Sequence, residues 1–319
     1  MIKKAVLVLS LLLVLVLLSI SCSSIVLCES YSKVNVPLST RISYDNEGIA
    51  VLMYHHLAPQ GVYTATEQNG SIVSVESFNQ QMRYLRQNNY QTLFLSELVE
   101  LLRLGVSLPR KTVVITFDDG YESNYQYAWP ILKKYRLKSN INLVVKSSLQ
   151  AEKIAKGNPQ KSYDPKVLSH LTLAQMDEMR KRGLVEFHSH TYDLHHMINI
   201  DAEGNLGFAI LNKYYYSQEN RYETQEAYHK RLDNDFFMAN RFLKDYLGND
   251  QPVLAYPYGV FNDTVIFMCQ KSGSPAALGI KSGLVTKDSD LYALPRIAVG
   301  PQDSIEDFAY KVEYGQNPP

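Results

Sequence analysis

Residues 113 to 125 read VVITFDDGYESNY. An apolar, β-branched run stops at two adjacent aspartates, Asp118 and Asp119, and Gly120 follows at once. A short apolar run that ends at a turn residue is the pattern of a strand buried on both faces. Downstream, Ala128, Ile131, Leu132 and Tyr135 recur at helical spacing, so the stretch reads as strand, turn, helix. Two like charges at the end of a buried strand call for a reason. One aspartate suffices to cap the helix that starts near Ser123. Two adjacent carboxylates repel each other unless a shared proton or a cation relieves them, and a metal ion is the direct relief.

The same alternation extends in both directions. GIAVLMYHHL (48–57) reads as a strand, and Phe78, Met82 and Leu85, then Leu95, Leu98, Val99 and Leu102, recur at helical spacing. INLVV (141–145), LVEFHSH (184–190), PVLAYPYG (252–259) and RIAVG (296–300) read as further strands. Helical stretches such as TLAQMDEMRKRG (172–183) separate them, with Thr172 as the expected N-cap. Alternating βα units imply an α/β fold with a mostly parallel sheet, and this many imply a barrel whose site gathers at the C-terminal strand ends. The main interruption, Asp201 to Tyr222, is polar, tyrosine-rich and without period, and is read as a long loop that either contacts substrate or is a solvated connection.

The chain has 319 residues, 45% of them apolar, enough for a large core. Its 32 basic and 32 acidic residues leave no net field to attract nucleic acid. Residues 1–24 carry two lysines, an apolar run from Ala5 to Ile20 and then small polar residues, the pattern of an export signal or a membrane anchor. Cys22 adds lipidation as a third option. All three place the folded part outside the cytoplasm, at the surface or beyond it, with membrane attachment through the N-terminus under two of them. Residues 25–45 read as a tether and 46–319 as one catalytic domain, expected to act as a monomer. Of the three cysteines, Cys22 and Cys28 lie in or beside the export segment, so no disulfide framework is expected, and Cys269 reads as a small buried hydrophobe.

Three clusters carry chemistry. The aspartate pair is the first. The second, EFHSHTYDLHH (186–196), places His188, His190, His195 and His196 within nine residues, half of the histidines in the chain. Neutral imidazoles ligate zinc and related ions. On a strand His188 and His190 face one side, so that pair competes with other choices. The third, MYHHL (53–57), offers His55 or His56 as a proton carrier.

Together these residues resemble the polysaccharide deacetylase family, whose catalytic unit is the NodB-type homology domain. TFDDG, then HSHTYDLH, then AYPYG carry the resemblance, which spans roughly residues 46 to 312. With LMYHH in front and LPRIAV behind, the order is most similar to exopolysaccharide deacetylases that act on poly-N-acetylglucosamine. The resemblance implies a distorted (β/α) barrel and metal-dependent hydrolysis of N-acetyl groups from an N-acetylglucosamine-containing polysaccharide. Poly-β-1,6-N-acetylglucosamine is the first choice of substrate and peptidoglycan the next.

It also implies separate roles for the two aspartates, Asp118 as general base and Asp119 as metal ligand. His190 and His195 are the other implied ligands, one residue further apart than in the usual family motif, with His188 and His196 in reserve. Tyr258 aligns with a tyrosine whose backbone N–H holds the oxyanion, and His55 is taken before His56 as general acid. Ala255 stands where the family commonly has an arginine, and Arg296 is the expected substitute for orienting Asp118. One carboxylate and two imidazoles suit a divalent ion, zinc first, with cobalt, nickel or iron(II) as alternatives. Two other readings are an inactive metal-containing carbohydrate-binding protein and a glycoside hydrolase. Adjacent carboxylates do not naturally give the separation of about 5 Å or more that the latter needs.

Overall fold

A computed structural model describes residues 48–63, 70–160 and 162–319. The export segment and the whole of the tether lie outside them. Among the described residues no helix is long and apolar enough to cross a membrane.

The chain enters through β1 (Ala50–Tyr54), then β2 (His56–Ala58) and β3 (Ile72–Ser74), which pair in parallel with each other. Helix α1 (Val75–Gln87) follows. It starts where the Ser74 hydroxyl accepts the Ser77 N–H, and it buries Phe78, Met82 and Leu85 as the spacing requires. Next come β4 (Gln91–Leu93), α2 (Leu95–Leu104) and β5 (Thr112–Phe117), the TVVITF strand. A π-helical turn, Asn124–Ala128, leads into α3 (Trp129–Tyr135), then β6 (Ser139–Leu143) and α4 (Val145–Gly157). Helix α5 (Leu173–Lys181) begins in a capping box between Thr172 and Gln175, and β7 (Val185–Ser189) follows.

The stretch read as a long loop instead forms two short antiparallel hairpins. These are β8 (Met197–Asn199) with β9 (Leu206–Phe208), and β10 (Tyr215–Tyr216) with β11 (Arg221–Tyr222). Beyond them lie α6 (Gln225–Leu247), β12 (Leu254–Ala255), α7 (Asp263–Lys271), β13 (Ala277–Leu278), β14 (Ile297–Ala298) and α8 (Ile305–Tyr314).

The main sheet has eight strands in the order β13, β12, β7, β6, β5, β1, β14, with β4 beside the first half of β5, and all of its pairings are parallel. Its edges meet. Leu278 on β13 bridges Leu294, just before β14, and the Gly279 N–H bonds the Leu294 carbonyl at 2.9 Å. The expected distorted barrel is therefore closed by irregular backbone on one side.

Alternation along the strands separates two cores. Val113, Ile115 and Phe117 join Leu52, Tyr54, Ile141 and the outer helices in one. Val114 joins Val51, Ala255, Leu278 and α2 in the other. Parity puts Asp118 on the second side, above Val114 and Thr116. Cys269 is fully buried on α7, where burial pushes its thiol up to about 12, which leaves it inert as a nucleophile at neutral pH.

Candidate active site

The two aspartates diverge because the backbone turns between them. The Asp118 N–H still continues the ladder to the Tyr54 carbonyl at 2.9 Å. Asp119 then takes a left-handed conformation at φ 69° and Gly120 follows at φ 72°. A Cβ on Gly120 would come within 2.6 Å of Leu143 Cδ2, so both the turn and the packing require glycine. Three of the non-glycine residues with positive φ, Asp119, Thr191 and Tyr258, belong to this site. Each such conformation costs about 1–3 kcal/mol, and residues of this kind cluster at functional sites.

Asp118 is buried and held by three donors. Arg296 reaches it with both terminal nitrogens, Nη1 to Oδ1 and Nη2 to Oδ2, each at 2.8 Å, and Asn142 Nδ2 donates to Oδ1 at 2.7 Å. Arg296 is itself fully buried, and its Nε donates to the Gly279 carbonyl at 2.8 Å. Burial alone would push the Asp118 carboxyl up. The Arg296 guanidinium, with His190 and His55 behind it, outweighs this and holds it well below the usual carboxylate range. Asp118 is thus ionised, rigid and aimed.

Asp119 is different. Its buried Oδ1 has no hydrogen-bond partner among the described residues, and it lies 3.5 Å from Nε2 of both His190 and His195. His190 Nδ1 lies 2.7 Å from the Ala255 carbonyl, which can only accept. Nδ1 therefore carries the proton and Nε2 presents its lone pair. Burial also pushes the His190 imidazole down, favouring the neutral form that ligates metal. The three donor atoms lie within 4.8 Å of one another. One buried orphan carboxylate oxygen facing two imidazole nitrogens fits a divalent cation of the zinc type.

The segment between the two histidines is fixed from below. The Thr191 and Tyr192 carbonyls accept the Val145 and Lys146 N–H groups of α4. Asp235, buried on α6, accepts the N–H groups of Tyr192 and Asp193 at 2.8 Å each. His195 is more exposed than His190, and the Tyr258 ring stacks on it at 4.3 Å, with Phe208 of the β8–β9 hairpin next to Tyr258 at 4.6 Å. Among the described residues no hydrogen bond uses the Tyr258 N–H.

The remaining histidines separate cleanly. His55 Nε2 lies 4.0 Å from Asp118 Oδ2, on its solvent side. His56 turns away into a buried nest where Nε2 meets the Pro165 carbonyl and the ring lies edge-on to Tyr63 and Tyr121. His188 does share the side of His190, but two residues down the strand it sits roughly 7 Å deeper. There it meets Glu186, Asn249 and the Val253 N–H. His196 faces the other way, toward the Tyr214 hydroxyl at 3.0 Å.

Sequence reasoning missed Asn142, Asp235, Tyr121 and His170. Asn142 acts through one contact and Asp235 through two, none of which local spacing announces. His170 stands alone in the chain, yet it bridges Tyr121, two residues from Asp119, with its ring 5.1 Å from that of Tyr121, and burial pushes its imidazole down. Burial, reinforced by Asp119, pushes the Tyr121 phenol far up, so it remains a donor.

The family model described as polysaccharide deacetylase matches residues 105–277. The chain belongs to this family. Among curated relatives, the poly-beta-1,6-N-acetyl-D-glucosamine N-deacetylase of Escherichia coli (strain K12) is 27% identical over 272 residues, 84% of this chain and 39% of the relative. The protein of the same name from Staphylococcus aureus (strain MSSA476) is 25% identical over 267 residues, covering 81% of each chain. The chain thus spans about two fifths of the first relative and most of the second. A solved de-N-acetylase from Aggregatibacter actinomycetemcomitans superposes with a TM-score of 0.69 at 25% identity, over 82% of this chain and all of that one.

Proposed function

We propose that the protein is a metal-dependent deacetylase that removes N-acetyl groups from an N-acetylglucosamine-containing polysaccharide outside the cytoplasm. Poly-β-1,6-N-acetylglucosamine is the first substrate to test and peptidoglycan the second. The observation that carries the reading is the division of the aspartate pair. One carboxylate is locked to Arg296 and Asn142. The other leaves a buried oxygen unpaired in front of two imidazoles. The relatives named above as poly-beta-1,6-N-acetyl-D-glucosamine N-deacetylases support the substrate class, and the apolar run from Ala5 to Ile20 supports the location.

Asp119, His190 and His195 would hold the cation, with zinc, cobalt, nickel and iron(II) all compatible with that donor set. Bound there, a divalent ion polarises the acetyl carbonyl and acidifies water. Asp118 takes the proton of the attacking water as the new C–O bond forms, and Arg296 and Asn142 keep that carboxylate ionised and pointed. The Tyr258 N–H faces the carbonyl oxygen as negative charge develops on it. His55 delivers a proton to the nitrogen as the C–N bond breaks, because an amide nitrogen leaves poorly until protonated. The products are acetate and a free amine. A glycoside hydrolase leaves the histidines without a role and needs a second carboxylate across the sugar.

The test is acetate release from poly-β-1,6-N-acetylglucosamine, peptidoglycan glycan and chitin fragments, with and without chelator. Activity that disappears on chelation and returns with zinc or cobalt is expected. Full activity in a rigorously metal-free sample, or no acetate from any polymer, would overturn the reading.

A further inference from the structure

The strands of the main sheet run in parallel, so the connections that feed them gather at one end of the barrel, opposite the aspartate turn. Four of these connections are RQNNY (86–90) into β4, RLGVSLPRK (103–111) into β5, KKYRLK (133–138) into β6 and RKRG (180–183) before β7. They carry one, three, four and three lysines or arginines, eleven in all, and no aspartate or glutamate. All but Lys138 are exposed. The segment that leaves β5 at the far end, DDGYES (118–123), carries three acids and no base. A chain without net charge is thus polarised along the barrel axis.

Helix C-termini favour cations, and that preference covers Arg86, Arg103, Lys133 and Lys181. It does not cover Arg110, Lys111 and Lys138, which lie beyond the helix ends. Nor does it explain apolar side chains held out among the charges. Leu104 is 63% exposed and Val106 40%, both within RLGVSLPRK. Tyr246, at the end of α6, and Tyr314, the last residue of α8, are exposed at the same end.

Basic residues interleaved with exposed apolar and tyrosine side chains match the surface of an anionic bilayer. Lipid phosphates attract the charges, while short apolar side chains and phenol rings enter among the headgroups. A soluble polyanion would engage the charges alone and offer Leu104 and Val106 nothing. β1 also starts at this end, so the sequence ahead of it, with its apolar run from Ala5 to Ile20, joins the barrel here.

We propose that the N-terminal end of the barrel is a docking surface for an anionic phospholipid bilayer, with Leu104 and Val106 entering the headgroup region. Docked in this way, the domain turns Asp118 and Asp119, at the other ends of the strands, away from the lipid.

The test uses the full chain reconstituted into vesicles of phosphatidylcholine alone or mixed equally with phosphatidylglycerol. Trp129, the single native tryptophan, is buried, so an added indole reports its own surroundings. Emission of the Leu104→Trp variant should move to shorter wavelength only with phosphatidylglycerol, and high salt should abolish the shift. Leu206→Trp, an exposed position on β9 at the far end, should not shift. Brief amine labelling of Lys111, Lys133 and Lys134 should fall by at least about fivefold with phosphatidylglycerol, the worth of one basic residue at such a surface. Lys166, next to the Pro165 that meets His56, should be labelled equally in both. Replacing Lys133 and Lys134 together by alanine should remove most of the Leu104→Trp shift. Equal emission and labelling in the two vesicle types, or a shift of Leu206→Trp as large as that of Leu104→Trp, overturns the proposal. Protection of the lysines by soluble polyphosphate and not by vesicles assigns the face to a polymer and overturns it as well. None of these readouts involves acetate release, so the deacetylase reading stands or falls separately.

Discussion

Replacing Arg296 by methionine tests the central arrangement most sharply, because the side chain is fully buried and every polar contact it makes is known. The substitution roughly keeps volume and removes two 2.8 Å charge-assisted bonds to Asp118, together with the Nε bond to Gly279 and a long 3.5 Å contact from Nη1 to Thr116 Oγ1. Breaking a buried ion pair from one side costs roughly 3–5 kcal/mol, since the remaining charge is left uncompensated. The lost Gly279 bond adds about 1 kcal/mol. In a large domain each kcal/mol lowers Tm by about 2–4 °C, so a fall of about 10–20 °C is expected by calorimetry. Asn142 then remains the hydrogen-bond donor to the carboxylate, with His55 4.0 Å away, and burial, less strongly opposed, raises its pKa. In the wild type the depressed pKa gives stability that is present above about pH 4 and is lost as pH falls. In the variant that acid dependence weakens, and the acid limb of kcat/KM moves to higher pH. A double-mutant cycle supplies the refutation. In an Asp118→Asn background the same Arg296→Met change no longer strands a charge, so it should cost at least 2 kcal/mol less, within the range of couplings for contacting residues, which reach about 3 kcal/mol. Equal costs in both backgrounds would show that Arg296 stabilises by packing alone, and the account of Asp118 would fall with it.

Two further outcomes follow from the same geometry. Asp118→Asn should abolish turnover while zinc content by elemental analysis stays near wild type, whereas Asp119→Asn should lose zinc affinity first and recover part of its activity in excess metal; equal metal loss in both would contradict the division of roles. Asp235 is buried, and burial pushes its carboxyl up to about 7 despite the two N–H groups it accepts. Its contribution to stability is therefore full below about pH 4 and is lost as pH rises through 7. Asp235→Asn removes this titration, so the Tm difference between wild type and variant should shift in the variant's favour from pH 5 to pH 8, and parallel pH curves would contradict it.

The strands and most helices were legible because their patterns are local: TVVITF, the 78–82–85 helix face and the Thr172 cap behave as their sequence says. The Asp201–Tyr222 stretch was misread because its strands are only two or three residues long, too short to display alternation. Its turn at Asp201 to Gly204 was the available signal: the Asp201 carboxylate accepts the Asn205 N–H. Strand parity could not separate His188 from His190, since both lie on one side; depth along the strand separates them, and depth needs the partner β12. Asp235, Asn142 and His170 stayed invisible because what they contribute is tertiary. Each reaches the site from an element far away in sequence.

Asp118 and Arg296 stand 178 residues apart, and Arg296 sits immediately ahead of the strand that closes the barrel. The stretch matched by the family model, 105–277, contains Asp119, His190 and His195 but neither His55 nor Arg296. A truncated chain ending there would carry TFDDG, HSHTYDLH and AYPYG and yet leave its buried carboxylate without a counter-ion. During synthesis the pair forms only after residue 296 has emerged, late among the contacts of the domain and ahead only of those made by the C-terminal β14 and α8. A nascent or clipped polypeptide ending at 277 thus keeps Asp119, His190 and His195 but lacks the guanidinium that holds Asp118.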